Sequence, residues 1–181
     1  MSSEVNWVLD QLGDVVESVA EDYSLESGDP VNVIRVNRTD SEVYDGSDPN
    51  DMTEPLHKRK EDLERGVFIG ARLADRDPTP VGTEYDHRLE AVVSLRIEGL
   101  TTRGGNYGHV DPAGENGVPF DVLTRRVRRT LLESRSYPDT GTPYTAYHDH
   151  VFTNEASLSA AYRDFYHYEI DIALRGYEEL P

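Results

Sequence analysis

The stretch DHRLEAVVSLRIEG, residues 86–99, settles the architecture. Leu89, Ala91, Val93, Leu95 and Ile97 occupy alternate positions, and Glu90, Ser94, Arg96 and Glu98 fall between them. Side chains on a strand alternate between its two faces, so this pattern predicts a β-strand with one dry face. The C-terminal stretch FYHYEIDIALRGYEEL, 165–180, repeats the pattern. There Tyr166, Tyr168, Ile170, Ile172 and Leu174 point one way, and His167, Glu169, Asp171 and Arg175 point the other.

Outward from these two, VNVIRVNR (31–38), GVFIGARLA (66–74) and TPYTAYHDHVF (142–152) read as further strands, with a turn over DRDPTPVGT between the second and the 86–99 strand. Residues 3–21 read as an amphipathic helix. Val5, Val8, Leu9, Leu12, Val15, Val16 and Val19 fall on one stripe at helical spacing, and Glu4 suits the first turn. Trp7 lies on the far side of that wheel, among Asn6, Asp10 and Asp14. An exposed Trp there either folds over a neighbouring loop or meets another chain. The order of elements predicts an α+β domain spanning residues 1–181. It is a mostly antiparallel β-sheet carrying the N-terminal helix and a second helix at about 120–135, with long loops at about 39–64 and 100–119.

The second helix comes from VPFDVLTRRVRRTLLESR, 118–135. Phe120, Leu123, Val127 and Leu131 share one face. Arg125, Arg126, Arg128 and Arg129 crowd the opposite one, with Leu132 in their midst. The crowding stands out because the chain holds 35 acidic against 18 basic residues, a formal charge of −17. Pairs one turn apart, such as Arg129 with Glu133, account for part of the cluster. Exposed ion pairs contribute little, so the cluster with its central Leu reads as a docking face for an acidic surface, most simply another copy of the same chain. Nucleic acid is the rival partner. The acidic balance excludes general affinity for a phosphate backbone as the main business of the molecule.

Lys58 and Lys60 are the only lysines, cysteine is absent, and mean hydropathy is −0.64. Acid-rich and lysine-poor, with the acids spread along the chain, the composition reads as a halophile's surface. In molar salt the screening length falls to roughly 3 Å, and carboxylates then keep a protein hydrated without mutual repulsion. No disulfide or thiolate chemistry is available. No apolar run is long enough to span a membrane, and the N-terminus lacks the features of a signal peptide, so the expected place of synthesis and assembly is a cytoplasm.

Catalytic and cofactor motifs are weak. His148 and His150 in YHDHVF would share one face of a strand and open a two-ligand zinc site, with His167 as a possible third ligand. RGGNYG (103–108) lacks the spacing of a phosphate-binding loop. GxSxG is missing, and pairs such as Asp75 and Asp77 carry no information in so acidic a chain. No cofactor is expected.

The element order and three stretches, VSLRIEG, FDVLTRRVRRTLLES and YHYEIDIALRGYEEL, resemble the tail-terminator (tail-completion) proteins of long-tailed viruses. The resemblance covers most of residues 3–180. It implies a structural, non-enzymatic virion protein, assembled in the host cytoplasm as a homo-hexameric ring. Such a ring caps the head-proximal end of the tail tube, ends tube polymerisation and joins tail to neck. Its partners would be itself, the tail tube protein and a neck or adaptor protein, with DNA passing the lumen without specific binding. The acidic surface would then belong to a virus of a salt-loving archaeon. A head–tail adaptor is the nearest alternative. A small halophilic metal-binding protein or enzyme using His148 and His150 is the alternative of another class.

Overall fold

A computed structural model describes residues 3–38, 62–102, 107–157 and 164–179. The predicted loop at 39–64 therefore lies almost wholly outside the described residues, as do the first four positions of RGGNYG. The elements run α1 (Ser3–Gln11), α2 (Gly13–Asp22), β1 (Val33–Asn37), β2 (Val67–Val81), β3 (Thr83–Leu100), α3 (Phe120–Glu133), β4 (Thr145–Ser157) and β5 (Phe165–Glu179). The five strands form one sheet in the order β1-β2-β3-β5-β4. Only β1 runs parallel to its neighbour, and the other three pairings are antiparallel. The fold is α+β, as expected.

The stretch 86–99 makes up most of the central strand, β3. Leu89, Ala91, Val93, Leu95 and Ile97 are all buried, together with Tyr168, Ile170, Ile172 and Leu174 of β5. All three helices pack on this face. Val5, Val8, Leu12, Val15 and Val19 from α1 and α2, and Phe120, Leu123, Val127 and Leu131 from α3, join one continuous core.

The N-terminal helix is broken where one helix is expected. The chain leaves helical geometry at Leu12 (φ −91°, ψ 5°), just before Gly13, yet the apolar stripe continues across the break. The gap admits Arg35 of β1, whose guanidinium donates to the Leu9 carbonyl at 2.6 Å. A cation at a helix C-terminus meets unsatisfied carbonyls and the negative end of the dipole. Glu4 is not a solvated first-turn acid either. It is buried, pairs with Arg76 of β2 and accepts the Tyr147 hydroxyl at 2.6 Å, which ties the start of α1 to both halves of the sheet.

The turn expected over DRDPTPVGT is instead strand. β2 runs on to Val81 and reverses at Gly82, whose φ of 81° suits glycine. Pro78 and Pro80 are tolerated because β1 pairs only with Val67–Ala71, which leaves the rest of β2 as a sheet edge among the described residues. Prolines at alternate positions share one side of the strand, and that side is the open one, where no N–H is needed. The amide of Arg76 is occupied by the Asp75 carboxylate at 2.8 Å. This margin is therefore poor in free donors and resists pairing with a stray strand.

The opposite face of the sheet is different. Val36, Leu63, Phe68, Leu100 and Phe165 form a small second core. Beside it lie Arg96, Glu98 and His167, all buried. Arg96 meets Glu98 at 3.3 Å and Glu169 at 3.1 Å, and His167 lies 3.0 Å from Glu169.

Residues 107–119 of the predicted long loop are tightly built. Val110 bridges to both Thr101 and Val118. Asp111 is buried and accepts the amides of Ala113, Glu115 and Asn116, each at 3.0 Å. Gly108 is required, because a Cβ there would sit 1.9 Å from the Leu100 carbonyl oxygen.

Candidate functional site

α3 is amphipathic for the reason read from its sequence. Phe120, Leu123, Val127 and Leu131 recur at helical spacing and are buried on the sheet. The arginines fall between these rows, and the structure separates them into two kinds. Arg126 and Arg128 lean along the helix flanks onto other elements, Arg126 half-buried and Arg128 still 45% exposed. Arg126 pairs with Asp22 at 2.6 Å, donates to the Ser18 hydroxyl at 3.0 Å, and lies over the Tyr23 ring at 5.6 Å. Arg128 pairs with Glu155 of β4 at 3.3 Å and lies over the Phe152 ring at 5.6 Å. Glu155 also accepts the Tyr168 hydroxyl at 2.6 Å. Burial, then that bond to a carboxylate, raises the Tyr168 phenol well above its ordinary range, so it stays protonated.

Arg125 and Arg129 face outward. They pair one helical turn away with Asp121 at 2.9 Å and Glu133 at 2.8 Å, with side chains 74% and 77% exposed. The bond to Glu133 raises the Arg129 pKa further. Leu132 lies between the outward arginines and the helix end and is 44% exposed. The expectation that intramolecular pairing would leave part of the cluster unaccounted for is corrected here: each of the four arginines has a carboxylate partner in its own chain. What remains free to meet a partner molecule is the outer half, Arg125, Arg129 and Leu132.

Trp7 is also corrected. It is buried rather than exposed, at 7%. Its ring stacks with Tyr137 at 6.4 Å between centroids and meets His150 edge-on at 5.8 Å, and its N–H reaches the Ser136 hydroxyl at 3.4 Å. Of the two readings of this residue, the fold over a neighbouring loop is the one the structure takes. The segment after α3 crosses the polar side of α1 and covers it.

The His148/His150 pair does not form a shared site. A bulge between Tyr147 and Asp149 adds one residue to β4 and shifts its pairing with β5. Alternation is lost at a bulge, so residues two apart no longer share a face. His148 stacks on Tyr177 at 5.3 Å. His150 instead turns to the helix side, where its Nε2 donates to the Leu131 carbonyl at 2.7 Å. His167 is buried on the opposite face of the sheet, with Arg96 and Glu169. Among the described residues no group of three or more His, Cys, Asp or Glu side chains could hold a metal. No helix of the described residues is long and apolar enough to cross a membrane.

One surface escaped the sequence reading. At the open end of the sheet, Val81, Tyr144 and Tyr177 are 45%, 48% and 55% exposed. With Pro143 they line a shallow depression of about 460 Å³ rimmed by Asp86, Glu178 and Glu179. These residues come from four separate segments, and each alone reads as an ordinary end of a strand.

Comparison with protein-family models and with curated protein sequences gives no match to this chain, so its residues alone carry the functional reading.

Proposed function

We propose that the chain is a structural virion protein, a tail terminator that forms a ring at the head-proximal end of a tail tube, ends tube growth and joins tail to neck. The observation that carries this reading is the outer half of α3. A protein of charge −17 presents two arginines and an exposed leucine on the side of a helix turned away from its own sheet. That is the chemistry of a surface made to meet carboxylates, and the nearest plentiful carboxylates belong to further copies of the chain. A patch on one copy that meets a different patch on the next forms a heterologous contact, which closes into a ring when its rotation closes. The partners are then the chain itself, the tube protein and a neck protein, with assembly in the host cytoplasm. An acidic ring suits the passage of DNA without holding it.

Light scattering and negative-stain imaging of the purified protein in high salt test the reading. A six-fold ring that shortens tubes when added to polymerising tube protein is the expected result. A twelve-fold ring would identify a head–tail adaptor instead, and a chain that stays monomeric with or without tube protein would overturn the reading.

A further inference from the structure

We infer that the outer face of α3 docks, in a neighbouring copy, into the acid-rimmed aromatic depression at the open end of the sheet. The inference rests on the ring reading above and names the two surfaces that meet.

The chain itself supplies the pattern. On α3 itself, two arginines each lie over an aromatic ring and beside a carboxylate: Arg126 over Tyr23 with Asp22, and Arg128 over Phe152 with Glu155. Guanidinium groups favour this arrangement because the ring face attracts the cation while the carboxylate accepts its N–H groups. Arg125 and Arg129 have carboxylates one turn away, and among the described residues no ring lies under either. The depression offers the missing half. Tyr144 and Tyr177 are about half exposed, with one face of the Tyr177 ring covered by His148, and Glu178 and Glu179 line the same hollow. Leu132 matches the apolar part of its lining, Val81 and Pro143.

The shapes and charges also agree. One surface is a ridge on which Arg125 and Arg129 stand beside Asp121 and Glu133, with Leu132 toward the helix end, and the other is a hollow lined by apolar and acidic side chains. Leu132, Val81, Tyr144 and Tyr177 are four of the exposed large hydrophobic residues among those described, and this contact would cover all four. Contact within one copy is excluded by position. The depression begins at Ala146, four residues along β4 from His150, whose ring holds the Leu131 carbonyl. At about 3.3 Å per residue that is roughly 13 Å along the sheet. Ridge and hollow stay exposed in the same chain, so each needs a second copy. Because they are different surfaces, every copy can give one and receive one.

The absence of cysteine makes the test direct. Leu132→Cys and Tyr177→Cys proteins are prepared separately, mixed and treated with a short bis-maleimide. Covalent dimer in the mixture and its loss when either variant is treated alone is the expected result. A charge exchange adds a second line: Arg129→Glu should abolish assembly by light scattering, and Arg129→Glu with Glu178→Arg should restore it. If the protein assembles but the mixed cysteines do not join and the exchange does not rescue, the contact is wrong and the ring reading stands. If wild-type protein stays monomeric throughout, both fall.

Discussion

One face of the sheet buries Val93, Leu95, Ile97, Ile170 and Ile172 under three helices, while the other buries Arg96, Glu98 and His167. The two faces are built from the same strands, one residue out of step. On the helix face, stability comes from apolar area and close packing, which tolerate changes of pH and salt. On the opposite face, burial of charge costs free energy that is recovered only if each partner stays in place. Molar salt, which screens exposed pairs, reaches buried ones far less. A very acidic protein therefore keeps its most consequential ion pairs inside.

The comparison can be broken most severely on the helix face. Leu95→Ala empties a fully buried site and is expected to cost about 3–4 kcal/mol, read from the shift of a urea or guanidinium midpoint at constant slope. On the other face, Arg96→Met leaves Glu98 buried without its 3.3 Å partner. A loss of about 3 kcal/mol is expected, and the double variant Arg96→Met with Glu98→Leu should recover much of it. Recovery in the double variant separates a charge effect from a packing effect.

Acid offers a gentler probe of the same cluster. A hydrogen bond from His167, opposed by burial and helped by the Arg96 charge, holds the Glu169 carboxyl down at about 2. Its folded pKa lies below its unfolded one, so its contribution is complete above about pH 4.5 and is lost as pH falls toward 2. That contribution is roughly 2 kcal/mol after allowing for partial exposure. Glu169→Gln should therefore be less stable than the natural chain at pH 6, and most of the difference should be lost as pH falls from about 4.5 toward 2. A difference that stays the same between pH 6 and pH 2 would show that the carboxylate charge is not the source.

The smallest effects belong to α3. Arg126→Ala removes a partly buried group with a ring, a hydroxyl and a carboxylate around it, and should cost about 1 kcal/mol. Arg125→Ala removes an exposed helical pair and should shift the midpoint by about 0.3 kcal/mol or less. If the outer arginine proved as costly as the inner one in the isolated chain, it would be structural, and the division of the cluster into inner and outer halves would fail.

Much of this was readable beforehand, and what was not has a common cause. The buried face of α3 and the alternation of β3 and β5 followed from periodicity, because a face buried along its whole length writes its period into the sequence. Trp7 was misplaced because the cover over it comes from Ser136 and Tyr137, more than a hundred residues away. Pro78 and Pro80 looked like turn residues because only the shortness of the pairing with β1 makes that stretch an edge. The two histidines looked like ligands because the bulge that parts them lies in the pairing with β5, beside Gly176, where a Cβ would sit 2.1 Å from the Ala146 carbonyl oxygen.

By itself the sequence determined the class of fold, the strands and helices with their dry faces, the acid-rich surface and the gathering of arginine on one helix. These are properties of neighbours along the chain, set by periods of two and of 3.6 residues. Only the tertiary structure decided which arginines are satisfied internally, that Trp7 is core, that the histidines part, and that tyrosines from distant strands share one hollow. Each of those outcomes depends on pairings between remote segments, and no local pattern encodes such a pairing.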